Sequence, residues 1–311
     1  MDLHHFEPIP ELAASGLDQT RPFTLAQARG LGLERSLLRR LHGEGLLRRW
    51  FRAVYVHHMV ESDPVNRAQA LSLVVPPRSV VVDRSAAWLL GVDATFPWEQ
   101  GQEFLVEVFR TQEGARLRRP GCAGGERRLA SRDVMITGQV RHTTPLRTAL
   151  DLGRLLPRER ALAAMDALAR LGGFGAPALR QQLPRFRGYR GVVQLRALAS
   201  MVDPLAESPA ESRLRLSWLD SGLPTPSLQH QVADGRRVAF LDIADPRSRF
   251  AAEYDGHAWH SSARDRAHDR SRREWLTSLG WHIEVFTKAD YRGEAVLPEV
   301  RLRTAYRHSA R

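Results

Sequence analysis

Residues 236–256 read RRVAFLDIADPRSRFAAEYDG. Two apolar runs flank DPRSR, where Asp245 and Pro246 occupy favoured turn positions, so the stretch predicts a β-hairpin. Asp242 sits inside the first run between Leu241 and Ile243, with Phe240 close by. A carboxylate there is costly to bury unless something cationic balances it. In the second run Glu253 and Asp255 are two residues apart, which puts both on one face of a strand. A hairpin folded about residues 246–248 brings Asp242 nearly opposite Glu253. Three carboxylates on one sheet face repel one another, which raises their proton affinity or calls for a cation. The spacing therefore predicts a metal site of Asp242, Glu253 and Asp255. Mg²⁺ (or Mn²⁺) suits it, because Mg²⁺ takes a few carboxylates and keeps positions open for water and phosphate.

Upstream, Ser208-Pro-Ala-Glu211 opens a helix, with Ser208 at N-cap spacing and Glu211 at the third position. Leu214, Trp218 and Leu219 form its apolar face, and Gly222 with Pro224 stops it. The chain start reads differently. Thr24 and Gln27 have capping-box spacing for a short helix, and Gly30 and Gly32 break it. ERSLLRRLHGEG then repeats apolar residues at Leu37, Leu38 and Leu41, and Trp50, Phe51, Val54, Tyr55 and Val56 have strand chemistry. Helix, turn, helix and hairpin make a winged helix-turn-helix. Its second helix carries Arg35, Arg39 and Arg40 and its wing Arg48, Arg49 and Arg52, placed for major groove and phosphates, or simply solvated.

Between these ends lies an α+β middle segment. QGQEFLVEVFR alternates like a strand, residues 116–133 form a basic glycine-rich connection, and PLRTALDLGRLL and RERALAAMDALARLG have helical spacing. The expected division is 1–58, 59–205 and 206–311.

Composition adds bounds. Lys and Arg number 46 against 35 Asp and Glu, a formal net charge of +11, and Lys288 is the only lysine. Arginine excess fits a polyanion partner, and equally a GC-rich genome. The single Cys122 excludes a disulfide framework and a multi-cysteine zinc site. No apolar run approaches the ~18 residues needed to span a bilayer, and no signal peptide is read, so the expected compartment is the cytoplasm without a membrane partner. No Walker-type glycine loop, Cys/His pair or Gly-x-Ser-x-Gly elbow is present, which leaves the acidic cluster as the enzymatic signal.

Asp242, Glu253-Tyr-Asp255-Gly256 and His260 resemble the PD-(D/E)XK nuclease superfamily, within it the very-short-patch-repair-endonuclease-like branch. Glu211 in SPAES matches its entry glutamate, RDRAHDRSRREWLTSLGW its Arg/Asp-rich helix, and HIEVFT its closing strand. The resemblance implies a restriction-endonuclease-like mixed sheet flanked by helices, and metal-dependent hydrolysis of DNA phosphodiesters. Glu211, Asp242, Glu253, Asp255 and His260 would be its catalytic residues, with His257 the other candidate base. Asp255 stands where the superfamily usually has lysine, and Lys288 lies past the closing strand, so the general base stays unassigned. Among Arg270, Arg272 and Arg273, Arg270 is taken as the phosphate contact.

FTLAQARGLG, GLLRRWFRAVYV, SAAWLLGV and TPLRTALDL, over roughly residues 20–175, resemble the AbiE-type (type IV) antitoxin architecture, which implies a DNA-binding winged helix and a domain completing the antitoxin. Two functions thus stand side by side: a DNA endonuclease, or a non-catalytic DNA-binding, antitoxin-like regulator with a degenerate nuclease-like domain. Duplex DNA is the expected partner of either. A homodimer and a toxin-like protein partner stay open.

Overall fold

The computed structural model describes residues 6–94, 105–110, 120–125, 127–256, 263–291 and 296–309. It is a mixed α/β structure with three sheets and twelve α-helices among the described residues. Two compact units emerge, Met1–Leu152 and Gly153–Arg311.

The first unit begins with α1 (Pro10–Ala14), β1 (Phe23–Thr24), α2 (Leu25–Gly30), α3 (Arg35–Gly43), β2 (Leu47–Phe51) and β3 (Val54–His57). The capping box forms as its spacing predicts: Gln27 N–H donates to Thr24 Oγ1 at 3.1 Å and Thr24 N–H to Gln27 Oε1 at 2.7 Å. The three strands pair in the order β1-β3-β2. Leu38 and Leu41 of α3 pack with Leu12, Phe23 and Leu47. That burial orients the helix, so Arg35 and Arg39, four apart, project on its exposed side.

The same unit continues with α4 (Pro64–Ser72), β4 (Ser79–Val81), α5 (Asp83–Leu89), β5 (Val106–Arg110), β6 (Cys122–Ala123), β7 (Val134–Thr137), β8 (Val140–Thr143) and α6 (Pro145–Leu155). The strands form a sheet in the order β6-β5-β4-β8-β7, with β4/β8 and β5/β6 parallel. Leu71, Val81, Leu89, Val108 and Val140 fill its core.

A ladder of buried ions runs through this part. Arg127 donates to Asp83 at 2.8 Å and lies 3.0 Å from Asp151. Arg147 reaches Asp151 at 2.7 Å and Asp133 at 2.8 Å. Arg147 and Asp151 are four apart on α6, so one helix face sets both. Asp83 adopts φ +50, a left-handed conformation that a non-glycine residue keeps only where its surroundings enforce it.

The second unit carries α7 (Arg158–Gly172), α8 (Ala176–Gln182), α9 (Val192–Ala199), α10 (Pro209–Asp220), β9 (Ser227–Ala233), β10 (Val238–Asp245), β11 (Phe250–Tyr254), α11 (Ala263–Ser278), β12 (His282–Phe286) and α12 (Pro298–Ser309). Arg215 of α10 donates to the buried Asp166 of α7 at 2.5 Å, and Asp166 also accepts the Asp203 N–H at 2.9 Å. The seam expected near Glu207 therefore falls inside this unit, between helices that share an ion pair.

The sheet order is β12-β11-β10-β9, antiparallel except for the parallel β11/β12 pair. Leu214 and Trp218 of α10 and Leu302 of α12 pack with Leu228, Ile243, Phe250 and Ala252. Leu276 of α11 and Trp281 pack instead with Val232, Ala239, Leu241, Ala244 and Ala251. The sheet is thus covered on both faces. Its outer strand β9 was not among the expected elements.

Candidate functional site

Leu241 and Ile243 are two apart on β10, yet they bury against opposite faces of the sheet. Side chains two apart on a regular strand share a face, so the alternation reverses between them. On β9 the same reversal separates Val232 from Leu228. The cause lies between: Gln229 has φ +47. The β9/β10 ladder runs Leu241↔His230 and Ile243↔Leu228, with no bridge at 242/229. Asp242 sits at the reversal.

On its other side, pairing of β10 with β11 runs from Asp245↔Phe250 to Ile243↔Ala252 and stops. The next pair in that register is Asp242 and Glu253, opposite each other as the hairpin reading predicts. There Asp242 Oδ2 accepts the Tyr254 N–H at 3.1 Å, so a side chain replaces the missing ladder carbonyl. Burial pushes the Asp242 carboxyl up to about 6, reinforced by the negative charges of Glu211 and Glu253 and opposed by the Tyr254 N–H and by Arg272.

Glu211 arrives from α10. Its own N–H bonds the Ser208 cap at 3.1 Å, as the N-cap spacing predicts. Its Oε2 accepts the Glu207 N–H at 2.9 Å and the Gln229 amide at 3.3 Å. The left-handed Gln229 thus aims its side chain at the Glu211 carboxylate.

Glu253 is held by Arg272 of α11. Nη2 donates to Oε1 at 2.8 Å, Nη1 to Oε2 at 3.0 Å, and Nη2 also reaches the Phe240 carbonyl at 2.7 Å. The charge-assisted fork raises the Arg272 guanidinium further above its ordinary range. Asp255, one residue past the end of β11, lies 3.8 Å from Arg273. The acids whose charges raise Asp242 are Glu211 and Glu253. Arg270 is exposed on α11, while Arg272 is the arginine that reaches the cluster. Its signal was available: Leu276 is fully buried, and Arg272 lies four residues before it on the same helix face. His257 and His260 lie outside the described residues.

Whether this group fits Mg²⁺ turns on its open lone pairs. Mg²⁺ needs oxygens at about 2.0–2.1 Å in near-octahedral geometry. The fork covers both Glu253 oxygens, while Asp242 and Glu211 accept N–H donors on one oxygen each. Among the described residues no three His, Cys, Asp or Glu side chains are arranged to hold an ion. With Arg272 in place, the arrangement does not fit a divalent cation.

The basic residues of the first unit divide into two sets. Arg35, Arg39, Arg49 and Arg52 are exposed. Arg40 is engaged by Glu11 at 2.7 Å and Glu44 at 3.1 Å. Arg48 is half-buried, donates to the Val60 carbonyl and lies over the Trp50 ring at 5.7 Å, and burial lowers its guanidinium.

No helix among the described residues is long and apolar enough to cross a membrane. Residues 79–204 match the AbiEi antitoxin C-terminal domain family. Two proteins of Mycobacterium tuberculosis, uncharacterized protein Rv2248 of strain H37Rv and uncharacterized protein MT2308 of strain CDC 1551, are each 33% identical over 251 residues, covering 80% of this chain and 88% of theirs. The chain belongs to the family of these two mycobacterial proteins, and it carries at residues 79–204 a domain of the AbiEi antitoxin C-terminal type.

Proposed function

We propose that this protein is a DNA-binding, antitoxin-like regulator of the AbiE type. The observation that carries the reading is the AbiEi antitoxin domain at residues 79–204, directly downstream of the α2–α3–β2–β3 unit. On this reading residues 1–58 act as a winged helix-turn-helix on duplex DNA, residues 59–205 complete the antitoxin and meet a toxin-like protein, and residues 206–311 form a nuclease-like region within the second unit. The work takes place in the cytoplasm. Arg35 and Arg39 project from α3 toward phosphates, and Arg49 and Arg52 extend the basic face along the hairpin. A salt series of duplex-DNA binding by fluorescence anisotropy tests it. Each lost phosphate contact flattens the slope of log affinity against log salt by about 0.9, so Arg35→Ala with Arg39→Ala should remove about 2 from the slope. Arg40→Ala, whose partners are Glu11 and Glu44, should leave the slope alone. An unchanged slope in the double variant would remove the DNA-binding role from α3.

One observation favours a second reading, a metal-dependent DNA endonuclease of the restriction-endonuclease-like kind: Asp242 and Glu253 face each other where β10 and β11 part, with Glu211 beside them. The order α10-β9-β10-β11-α11-β12 supports the same comparison. It ranks second because the Arg272 guanidinium engages both Glu253 oxygens. Its prediction is nicking of supercoiled plasmid with Mg²⁺ or Mn²⁺ by the parent chain and none by Asp242→Ala. DNA binding without metal-dependent cleavage leaves the regulator standing.

A further inference from the structure

We infer that the Arg272 guanidinium is the resident cation of the acidic site formed by Glu211, Asp242 and Glu253, and that a divalent ion reaches these carboxylates only when that side chain is removed or displaced. The inference stands apart from the antitoxin reading, since it concerns residues outside the AbiEi-type domain.

Three features carry it. The first is the fork itself. The two terminal guanidinium nitrogens each meet one Glu253 oxygen, at 2.8 and 3.0 Å, in the parallel geometry in which arginine matches a carboxylate. A fork of this kind occupies the inward lone pairs that a metal ion would use.

The second is the support behind the fork. Leu276, one helical turn on, is fully buried against the sheet. Trp275 Nε1 donates to Asp234 Oδ2 at 2.7 Å, tying α11 to the turn after β9. The Phe240 carbonyl takes a third donor contact, beyond the point where β10–β11 pairing stops. Arg272 is 27% exposed and Glu253 13%, so the pair is shielded more than a surface bridge.

The third is charge. Three carboxylates converge and, among the described residues, one guanidinium answers them, so the cluster keeps an affinity for positive charge. A dication and a guanidinium cannot share Glu253, because like charges at contact distance repel. Removing Arg272 frees both Glu253 oxygens opposite Asp242, and two carboxylates are enough for a hard divalent ion that keeps several waters.

The experiment titrates the full chain with Mn²⁺ and follows the electron paramagnetic resonance signal of the free ion. The parent should show no site tighter than about 1 mM, the weak end of protein sites for hard cations. Arg272→Gln should bind Mn²⁺ at least about tenfold more tightly, a step set by loss of one like charge. Adding Asp242→Asn to that variant should abolish the gain. An Arg272→Gln chain that keeps its near-ultraviolet circular dichroism and binds no more tightly than the parent overturns the inference. So does a parent that binds Mn²⁺ tighter than about 1 mM and loses the site in Asp242→Asn. If Arg272→Gln does not fold, the parent decides alone: no Mn²⁺ site below about 1 mM supports the resident cation.

Discussion

The protein holds two clusters of acids and arginines, built on opposite terms. In the first unit Asp83, Arg127, Asp151, Arg147 and Asp133 alternate in sign along a buried ladder. In the second, Glu211, Asp242 and Glu253 crowd together, and among the described residues Arg272 is the cation that answers them. An alternating ladder places each charge beside its opposite, so removing one member strands its neighbours. A crowded site has more like charge than its counter-ion offsets, so neutralising one member relieves the rest. The same residue types thus stabilise one region and leave the other under electrostatic load.

The sharpest way to break the contrast is at Asp151, which lies at the ladder's centre with its side chain fully buried. Asp151→Ala leaves Arg127 and Arg147 facing each other in the core, and losing one partner from a buried pair costs about 3–5 kcal/mol. Chemical denaturation followed by circular dichroism should show that loss. A change below about 1 kcal/mol would mean that the ladder is not a buried, mutually dependent unit.

The opposite sign is expected at Asp242. Its carboxyl rises from 3.8 to about 6 on folding, so between those values the folded chain holds a proton that the unfolded chain has lost. Stability therefore falls as pH rises from about 4 to about 6, and the full cost is present at pH 7. At about 1.4 kcal/mol per pKa unit the ceiling is about 3 kcal/mol. Asp242→Asn should be more stable than the parent at pH 7 by up to that amount, with the gap closing toward pH 4. Thermal midpoints across pH 4–8 check it. An Asn variant that melts lower at every pH would show that its bond to the Tyr254 N–H outweighs the charge.

Local features were legible in the sequence and longer-range ones were not. Thr24 with Gln27, and Ser208 with Glu211, cap helices as their spacings predict, because a cap is decided within four residues. The hairpin places Asp242 opposite Glu253 because turn chemistry and alternation are local as well. Asp255 escapes that logic: β11 ends at Tyr254, so strand periodicity does not carry the residue into the cluster. Strand β9 was missed because LQHQVA mixes polar residues into a strand whose two halves bury opposite faces, so no uniform alternation marks it. The pairing of β4 with β8 links residues 81 and 142, and nothing local announces it. The ladder arginines look like any others in a chain this rich in arginine, and only burial separates them. Arg272 sits one turn before the buried Leu276, so helical periodicity turns it toward the sheet, while Arg270 is exposed.

Gln229 has a consequence beyond the carboxylates it approaches. A strand pair with unbroken alternation can slide by two residues and still present apolar side chains to the same faces. The β9/β10 pair cannot, because its alternation inverts at one marked place on each strand. Any slide would set the left-handed residue against the wrong partner and turn half of the ladder inside out. The kink therefore acts as a key in a lock, admitting one alignment of these strands, and that alignment is the one that leaves Asp242 at the parting of the sheet.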